Sequence, residues 1–300
     1  MDYWSKVDSK GYKILKKIVS NDDIFTIRKN LDNFFSKNPA QRMLNLEDSI
    51  KGVGLIENLQ LNKSLLSSLS DLFPDENWSF VNDFQVLKNM ASLSKGGWHA
   101  DCNSQYSMPS LNKDMSLKHY KFLKIGFYFQ GNKCNFGSSI EVIPYSYLLP
   151  KWGYKVLTFL LNKTIFGESL AKLLSKKLDK SIEPGDCILF DCRLIHRSSP
   201  AREDHVDFST YDKNKGAFKV HIPNENKYAF YFEAGDYDSC MQFLRSNTMR
   251  IKDDSEGFFI EYLTKSKHYF FNIFSKKYRK ELQNKIAYLE EEDLKKIGIR

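Results

Sequence analysis

The stretch GGWHADCN, residues 96–103, sets a histidine and an aspartate two positions apart. On an extended strand such residues point to the same side, so His99 and Asp101 are able to grip one ion together. By itself the tripeptide fits a polar pair beside a tryptophan equally well, and metal chemistry needs a third donor. The segment EPGDCILFDCRLIHRSSP, residues 183–200, offers one in His196, which follows a strand-like run close to a turn. Two histidines and a carboxylate on one face leave three coordination positions open, as non-haem Fe(II) enzymes need to bind a co-substrate and oxygen together. Zinc accepts the same donors. A zinc-dependent hydrolase using this triad, and a non-catalytic barrel acting as a binding module, therefore stand as alternatives.

The elements that must position these residues are legible from periodicity. GYKILKKIVSNDDIFTIRKNLDNFF, residues 11–35, reads as a short strand and then a helix, with Ser20 as N-cap and Asp22 and Asp23 in the first turn. Ile24, Ile27, Leu31, Phe34 and Phe35 recur at helical spacing. A second helix carries Leu65, Leu66, Leu69, Leu72 and Phe73 and ends at Pro74. The period then changes. Residues 84–89, 121–130, the runs SSIEVIP and CILFD, and residues 227–235 read as strands. In 121–130, Leu123, Ile125, Phe127 and Phe129 share one face, and Lys124, Tyr128 and Gln130 the other. Short strands behind a helical layer predict a mainly β fold with flanking α-helices, a jelly-roll or similar two-sheet barrel. One domain spans 1–300, with a barrel core over about 80–235. A helical insert is expected over about 151–178 and a C-terminal helical segment over about 257–297. Phe166, Leu170, Leu173, Leu174 and Leu178 form an apolar stripe in the insert, with Lys172, Lys176 and Lys177 beside it. Such a stripe suits a membrane surface or an oligomer contact; packing on the barrel is the expectation, with no peripheral membrane contact.

Composition narrows the classes. Apolar residues at 42% and aromatics at 14% describe a folded chain, not a disordered one. The start, MDYWSKVDSKGY, has no apolar signal core, and the run VLTFLLNKTIF is interrupted by Lys163 and too short to span a bilayer. Cysteines 102, 134, 187, 192 and 240 are odd in number without a C-x-x-C pair, which suits reduced thiols in a cytoplasm. The net charge of +8 is mostly lysine and forms no basic run interleaved with aromatics, so no nucleic-acid partner is expected. Anionic small molecules remain compatible with it.

Four segments in order resemble the phytanoyl-CoA dioxygenase-like family of Fe(II)/2-oxoglutarate-dependent oxygenases, which are built on a double-stranded β-helix. GYKILKKIVSNDDI is similar to that family's opening strand and helix, and WHAD to its first metal motif. FYFQGNKCNFGSSIEVIPYSY is similar to its Asn-Gly…Ile-Pro-Gly-Ser-His segment, and GDCILFDCRLIHRS to the strand of its distal histidine. The resemblance covers roughly residues 11–235. It implies His99, Asp101 and His196 as iron ligands, 2-oxoglutarate as co-substrate, and hydroxylation of a small molecule, lipid or sugar-type substrate. Asp101 argues against a halogenase, which keeps that position free for halide. The family sets a basic residue, commonly arginine, at the start of the strand after the distal histidine to pair with the far carboxylate of 2-oxoglutarate. Here that residue is Lys227, behind an inserted loop, with Arg202 as rival; a lysine is a point charge in place of a planar fork. Gln85 and Asn89 stand where related enzymes place amides close to 2-oxoglutarate or substrate. PYSY departs from Pro-Gly-Ser-His, with Tyr145 and Tyr147 at the glycine and histidine positions. His119, His205, His221 and His268 match no motif, and Asp186 and Asp191 read as turn and packing residues.

Overall fold

The computed structural model describes residues 10–41, 43–44, 59–73, 78–92, 97–101, 121–130, 140–178, 181–199, 206–212, 217–220, 226–236, 239–240, 243, 258–265 and 268–275. Within 78–92, residues 82–85 and 90–92 are described by backbone alone, as are all the strands at 206–212, 217–220, 258–265 and 268–275. Arg202, Cys102, Cys134, His119, His205 and His221 lie outside the described residues.

After β1 (Tyr12–Leu15), helix α1 (Asn21–Lys37) starts where Ser20 accepts a hydrogen bond from the Asp23 N–H and acidic side chains fill the first turn. Ile24, Ile27, Leu31 and Phe35 form its buried stripe, as their spacing predicts. Helix α2 (Lys63–Leu72) begins at Asn62, whose side chain accepts from the N–H groups of Ser64 and Leu65, and buries Leu65, Leu69 and Leu72.

The large sheet runs in the order β1, β8 (Cys187–Asp191), β5 (Phe122–Tyr128), β12 (Tyr228–Asp236), β3 (Trp78–Lys88), β14 (His268–Ser275), β13 (Phe258–Lys265), and β2 (Met43–Leu44) also pairs with β3. Two three-stranded sheets accompany it: β10 (Val206–Asp212), β11 (Ala217–Val220) and β4 (Met90–Ser92), and β7 (Lys176–Lys177), β6 (Ile140–Val142) and β9 (His196–Ser198). Pairing is antiparallel throughout except between β14 and β3. The chain is mainly β, a double-stranded β-helix of the jelly-roll kind with flanking helices. The face of β5 bearing Leu123, Ile125 and Phe127 joins one core cluster with Phe35, Leu65 and Leu69 from α1 and α2. The opposite face, bearing Lys124 and Tyr128, looks into the barrel.

One expectation fails. Residues 258–265 and 268–275 are strands, not helix: β13 and β14 pair from Phe258↔Ser275 to Lys265↔His268, and β14 extends the large sheet along β3. This stretch is dense in Phe, Tyr, Ile and Thr, which favour a pleated strand over a helix; the remainder of the expected helix, 276–297, lies outside the described residues. Residues 151–178 hold α3 (Lys151–Lys163), α4 (Gly167–Leu174) and the short β7. The apolar stripe there divides: Leu178 is buried and Leu170 partly so, whereas Phe166, Leu173 and Leu174 are exposed. Cys187, Cys192 and Cys240 are buried free thiols. Among the described residues, no helix is long and apolar enough to cross a membrane.

Candidate metal centre

The two halves of the triad are joined by the backbone itself. His99 donates its N–H to the His196 carbonyl at 2.9 Å and accepts the His196 N–H at 2.8 Å. This isolated antiparallel bridge brings the two rings to 4.5 Å between centroids. Asp101 follows two residues on, and ligand atoms of His99, Asp101 and His196 all lie within 4.8 Å of one another. Asp101 Oδ1 is 3.7 Å from His99 Nε2, and its Oδ2 is 3.7 Å from His196 Nε2. Two ligands each about 2.1 Å from a shared ion can stand up to roughly 4 Å apart, so these carboxylate–imidazole spacings are ones an ion can bridge.

The histidine tautomers follow from their partners. Nδ1 of His99 meets the Gly97 carbonyl at 2.7 Å, and Nδ1 of His196 meets the Leu194 carbonyl at 2.9 Å. A carbonyl only accepts, so each Nδ1 carries a proton and each Nε2, the ring nitrogen turned to Asp101, is the atom through which the neutral ring ligates a metal. Burial pushes His196 down to about 4, which keeps it neutral. Burial also opposes ionisation of Asp101, but the Lys124 ammonium first, and then the charged forms of the two imidazoles, outweigh it and hold the carboxyl at about 2. Asp101 Oδ2 is buried without a hydrogen bond, an oxygen whose lone pairs a cation would satisfy. The donor set fits a divalent transition metal.

Several groups hold these ligands in place. Tyr154 Oη accepts the Ala100 N–H at 3.0 Å, and the Asn162 amide both accepts from Trp98 N–H (3.0 Å) and donates to its carbonyl (2.8 Å). Helix α3 thereby clamps the His99 segment. On the other side, the turn into β9 is fixed by Asp191, which accepts from the Arg193 backbone and from its guanidinium at 2.8 and 2.6 Å. Arg197, next to His196, stacks 4.5 Å over Trp98 and pairs with Glu141 and Glu168, each at 2.8 Å. Ser146 Oγ accepts the Ile195 N–H at 2.8 Å. Just before it, Tyr145 adopts the left-handed φ of +66°, so the PYSY departure keeps a glycine-like backbone at the strain cost of a β-carbon. Tyr147 is buried against Gly11, where an added Cβ would come within 2.5 Å of the ring.

Periodicity alone did not single out the barrel's inner wall. Lys124 Nζ lies 3.4 Å from Asp101 Oδ2 and 3.3 Å from Glu233 Oε1, and 5.7 Å from the Tyr231 ring centre. Tyr231 meets Tyr128 hydroxyl to hydroxyl at 3.1 Å. Gly126, in register with Tyr231, makes room for that ring: a Cβ there would fall 2.9 Å from Tyr231 Cε1 and 3.1 Å from Ile188 Cγ2. Alternation along β12 puts Lys227, Ala229, Tyr231 and Glu233 on one face. A charged residue whose counterpart sits on the paired strand was the available signal for Lys124 and Glu233, but it needs the register.

Lys227 enters β12 buried, and burial pushes its ammonium down to about 7. Its backbone is held by Asn89, which accepts the Lys227 N–H through Oδ1 at 2.6 Å and donates its own N–H to the Lys227 carbonyl at 2.9 Å. Asn89 stands just past β3 at φ +50°, and its amide is spent on Lys227 and Asn226. Gln85 pairs with Tyr231 in register. Helix α1 completes the mount: Arg28 donates to the Asn226 and Phe129 carbonyls, and Asp32 accepts from the Asn226 amide and the Tyr228 hydroxyl. Asp186 lies apart from the triad, bound to Lys16 and the Lys17 N–H.

No protein-family model and no curated protein sequence matches the chain. Similar solved structures include the non-heme alpha ketoglutarate dependent epimerase SnoN from nogalamycin biosynthesis, at 10% identity and TM-score 0.45 over 77% of this chain and 80% of that one. HygX from Streptomyces hygroscopicus, with nickel and 2-oxoglutarate bound, aligns at 12% identity and TM-score 0.47 over 77% and 84%. EctD from S. alaskensis, with 2-oxoglutarate and 5-hydroxyectoine, aligns at 16% identity and TM-score 0.44 over 78% and 75%.

Proposed function

We propose that this chain is an Fe(II)- and 2-oxoglutarate-dependent oxygenase of the phytanoyl-CoA dioxygenase-like kind, hydroxylating a small-molecule, lipid or sugar-type substrate. The observation that carries the reading is the triad, with both Nε2 atoms freed toward Asp101 by carbonyl-bound Nδ1 protons. Three protein donors on one side leave room for ligands from outside. Bound iron and 2-oxoglutarate would supply the oxidising chemistry, and the chain would supply position and exclusion. His99, Asp101 and His196 hold the metal. Lys227 meets the far carboxylate of 2-oxoglutarate, and Gln85 and Asn89 assist, Asn89 by fixing the Lys227 backbone. Among the described residues, Lys124 is another cation of the inner wall, and its ammonium faces two carboxylates, Asp101 and Glu233. The buried thiols suit a cytoplasmic setting.

The test is turnover without the native substrate. Supplied with Fe(II), oxygen and 2-oxoglutarate, the protein should form succinate slowly, and His196→Ala should not. Ester hydrolysis by the zinc form with no succinate from the iron form would replace this reading with the hydrolase. Silence in both assays would favour a binding module.

A further inference from the structure

Helices α3 and α4 carry two unlike faces. Their inward groups serve the metal segment: Tyr154 and Asn162 bind Ala100 and Trp98, and Glu168 binds Arg197. Their outward groups are apolar and bare. Eleven large apolar side chains are exposed among the described residues, and ten of them lie between Tyr145 and Leu174. Trp152, Val156 and Phe159, at positions i, i+4 and i+7 of α3, are 71%, 51% and 61% exposed, and Ile165 in the turn is 91% exposed. Such a concentration marks an interaction surface.

Charge selects the occupant. Residues 151–177 contain six lysines and a single acidic residue, Glu168, and Glu168 faces Arg197. Lys155, Lys163 and Lys172 are exposed among the apolar groups. Protein interfaces deplete lysine at their centres. An apolar face of Trp, Phe and Leu set among lysines is the composition that settles at the headgroup boundary of an anionic bilayer.

We propose that α3 and α4 dock the protein on an anionic lipid surface, with Trp152, Phe159, Ile165 and Phe166 entering the headgroup layer and Lys155, Lys163 and Lys172 meeting lipid phosphates. The dock lies on the helix that clamps His99, so the metal segment sits about one helix diameter, roughly 10 Å, behind it. The docking does not depend on what the metal centre does.

The experiment is co-sedimentation of the full chain with phosphatidylcholine vesicles with and without phosphatidylserine. Wild-type protein should bind the anionic vesicles at least tenfold more tightly than the neutral ones and be released by high salt. Vesicle binding should shift Trp152 emission to the blue. Replacing Lys155, Lys163 and Lys172 together by Glu should weaken binding by on the order of a hundredfold or more, and Trp152→Ser with Phe159→Ser by at least tenfold. All five positions are exposed, so an unchanged melting temperature confirms the fold. Absence of anionic vesicle binding overturns the proposal. So does equal binding to neutral vesicles, and so does a dimer that the Trp152→Ser, Phe159→Ser protein abolishes, which would assign the face to a second copy.

Discussion

Lys227 is buried, and Asp101 is 18% exposed with its Oδ2 shielded from water; burial opposes the charged form of each. At Asp101 the opposition loses to Lys124 and the histidines, and the carboxyl stays ionised with a value of about 2. At Lys227 burial prevails, and the ammonium falls to about 7. One charge is fixed by the protein across the physiological range; the other is half lost near neutrality. The contrast separates a site made ready for a cation from one whose charge a bound carboxylate would restore.

Truncation at the triad is the largest perturbation. Asp101→Ala or His196→Ala removes one of three donors and should weaken Fe(II) binding by on the order of a thousandfold, judging from the several kcal/mol that one ligand contributes. Anaerobic titration calorimetry checks this. Full affinity in Asp101→Ala would leave its fixed charge without a purpose.

At the other end, Lys227→Ala should raise the 2-oxoglutarate requirement roughly a hundred- to a thousand-fold, since an uncompensated buried partner costs about 3–5 kcal/mol. Fe(II) binding should hardly change. Lys227→Arg should keep much of the affinity, and Arg202→Ala should do little; the reverse pattern moves the anchor to Arg202. The pH profile sharpens the same point. A carboxylate raises the ammonium above its value in the free protein, so binding takes up a proton. Affinity is therefore full below pH 7 and declines by up to about tenfold per pH unit above it. A flat profile through that range would exclude Lys227.

Acid tests the triad by another route. Folded His196 sits at about 4 against an ordinary 6.5. Between those values the unfolded chain binds a proton that the folded chain refuses. Metal-free protein should lose roughly 3 kcal/mol of stability as pH falls from 6.5 to 4, read from urea midpoints. Unchanged midpoints would show that His196 is not held neutral. The smallest effect is expected at Lys124: Lys124→Met should lower metal affinity about 10- to 100-fold, the range for groups that orient a ligand. An equal loss in apparent 2-oxoglutarate affinity at saturating metal would make Lys124, not Lys227, the anchor.

How much of this the sequence discloses depends on the distance over which the information is local. His99 and Asp101 are two residues apart, and extended geometry suffices to aim them together. The stripe of α1 and its Ser20 cap are equally local. His196 is legible as a donor following a strand-like run close to a turn, but nothing within its own segment states that the backbone pairs it with His99. The alternation of β5 was legible, but not that its polar face, with Lys124 and Tyr128, lines an interior; that follows only once β12 brings Glu233 and Tyr231 opposite. Residues 258–275 misled because a dense aromatic run satisfies helical and strand spacing alike, and pairing with β3 decides between them. The stripe at 166–178 misled differently: periodicity identifies an apolar face but not whether the barrel or something outside the chain covers it.

Gly126 and Tyr231 have a consequence for descent. With no Cβ at 126, the Tyr231 ring lies over the strand, and any side chain at 126 meets that ring or Ile188. In evolutionary terms the two positions behave as one character. A lineage that keeps tyrosine at 231 is bound to glycine at 126, and one that shrinks residue 231 is released to place alanine or serine there. Among homologues, a bulky 126 found together with an aromatic 231 would mean that the strands have slid past one another, and the inner wall with them.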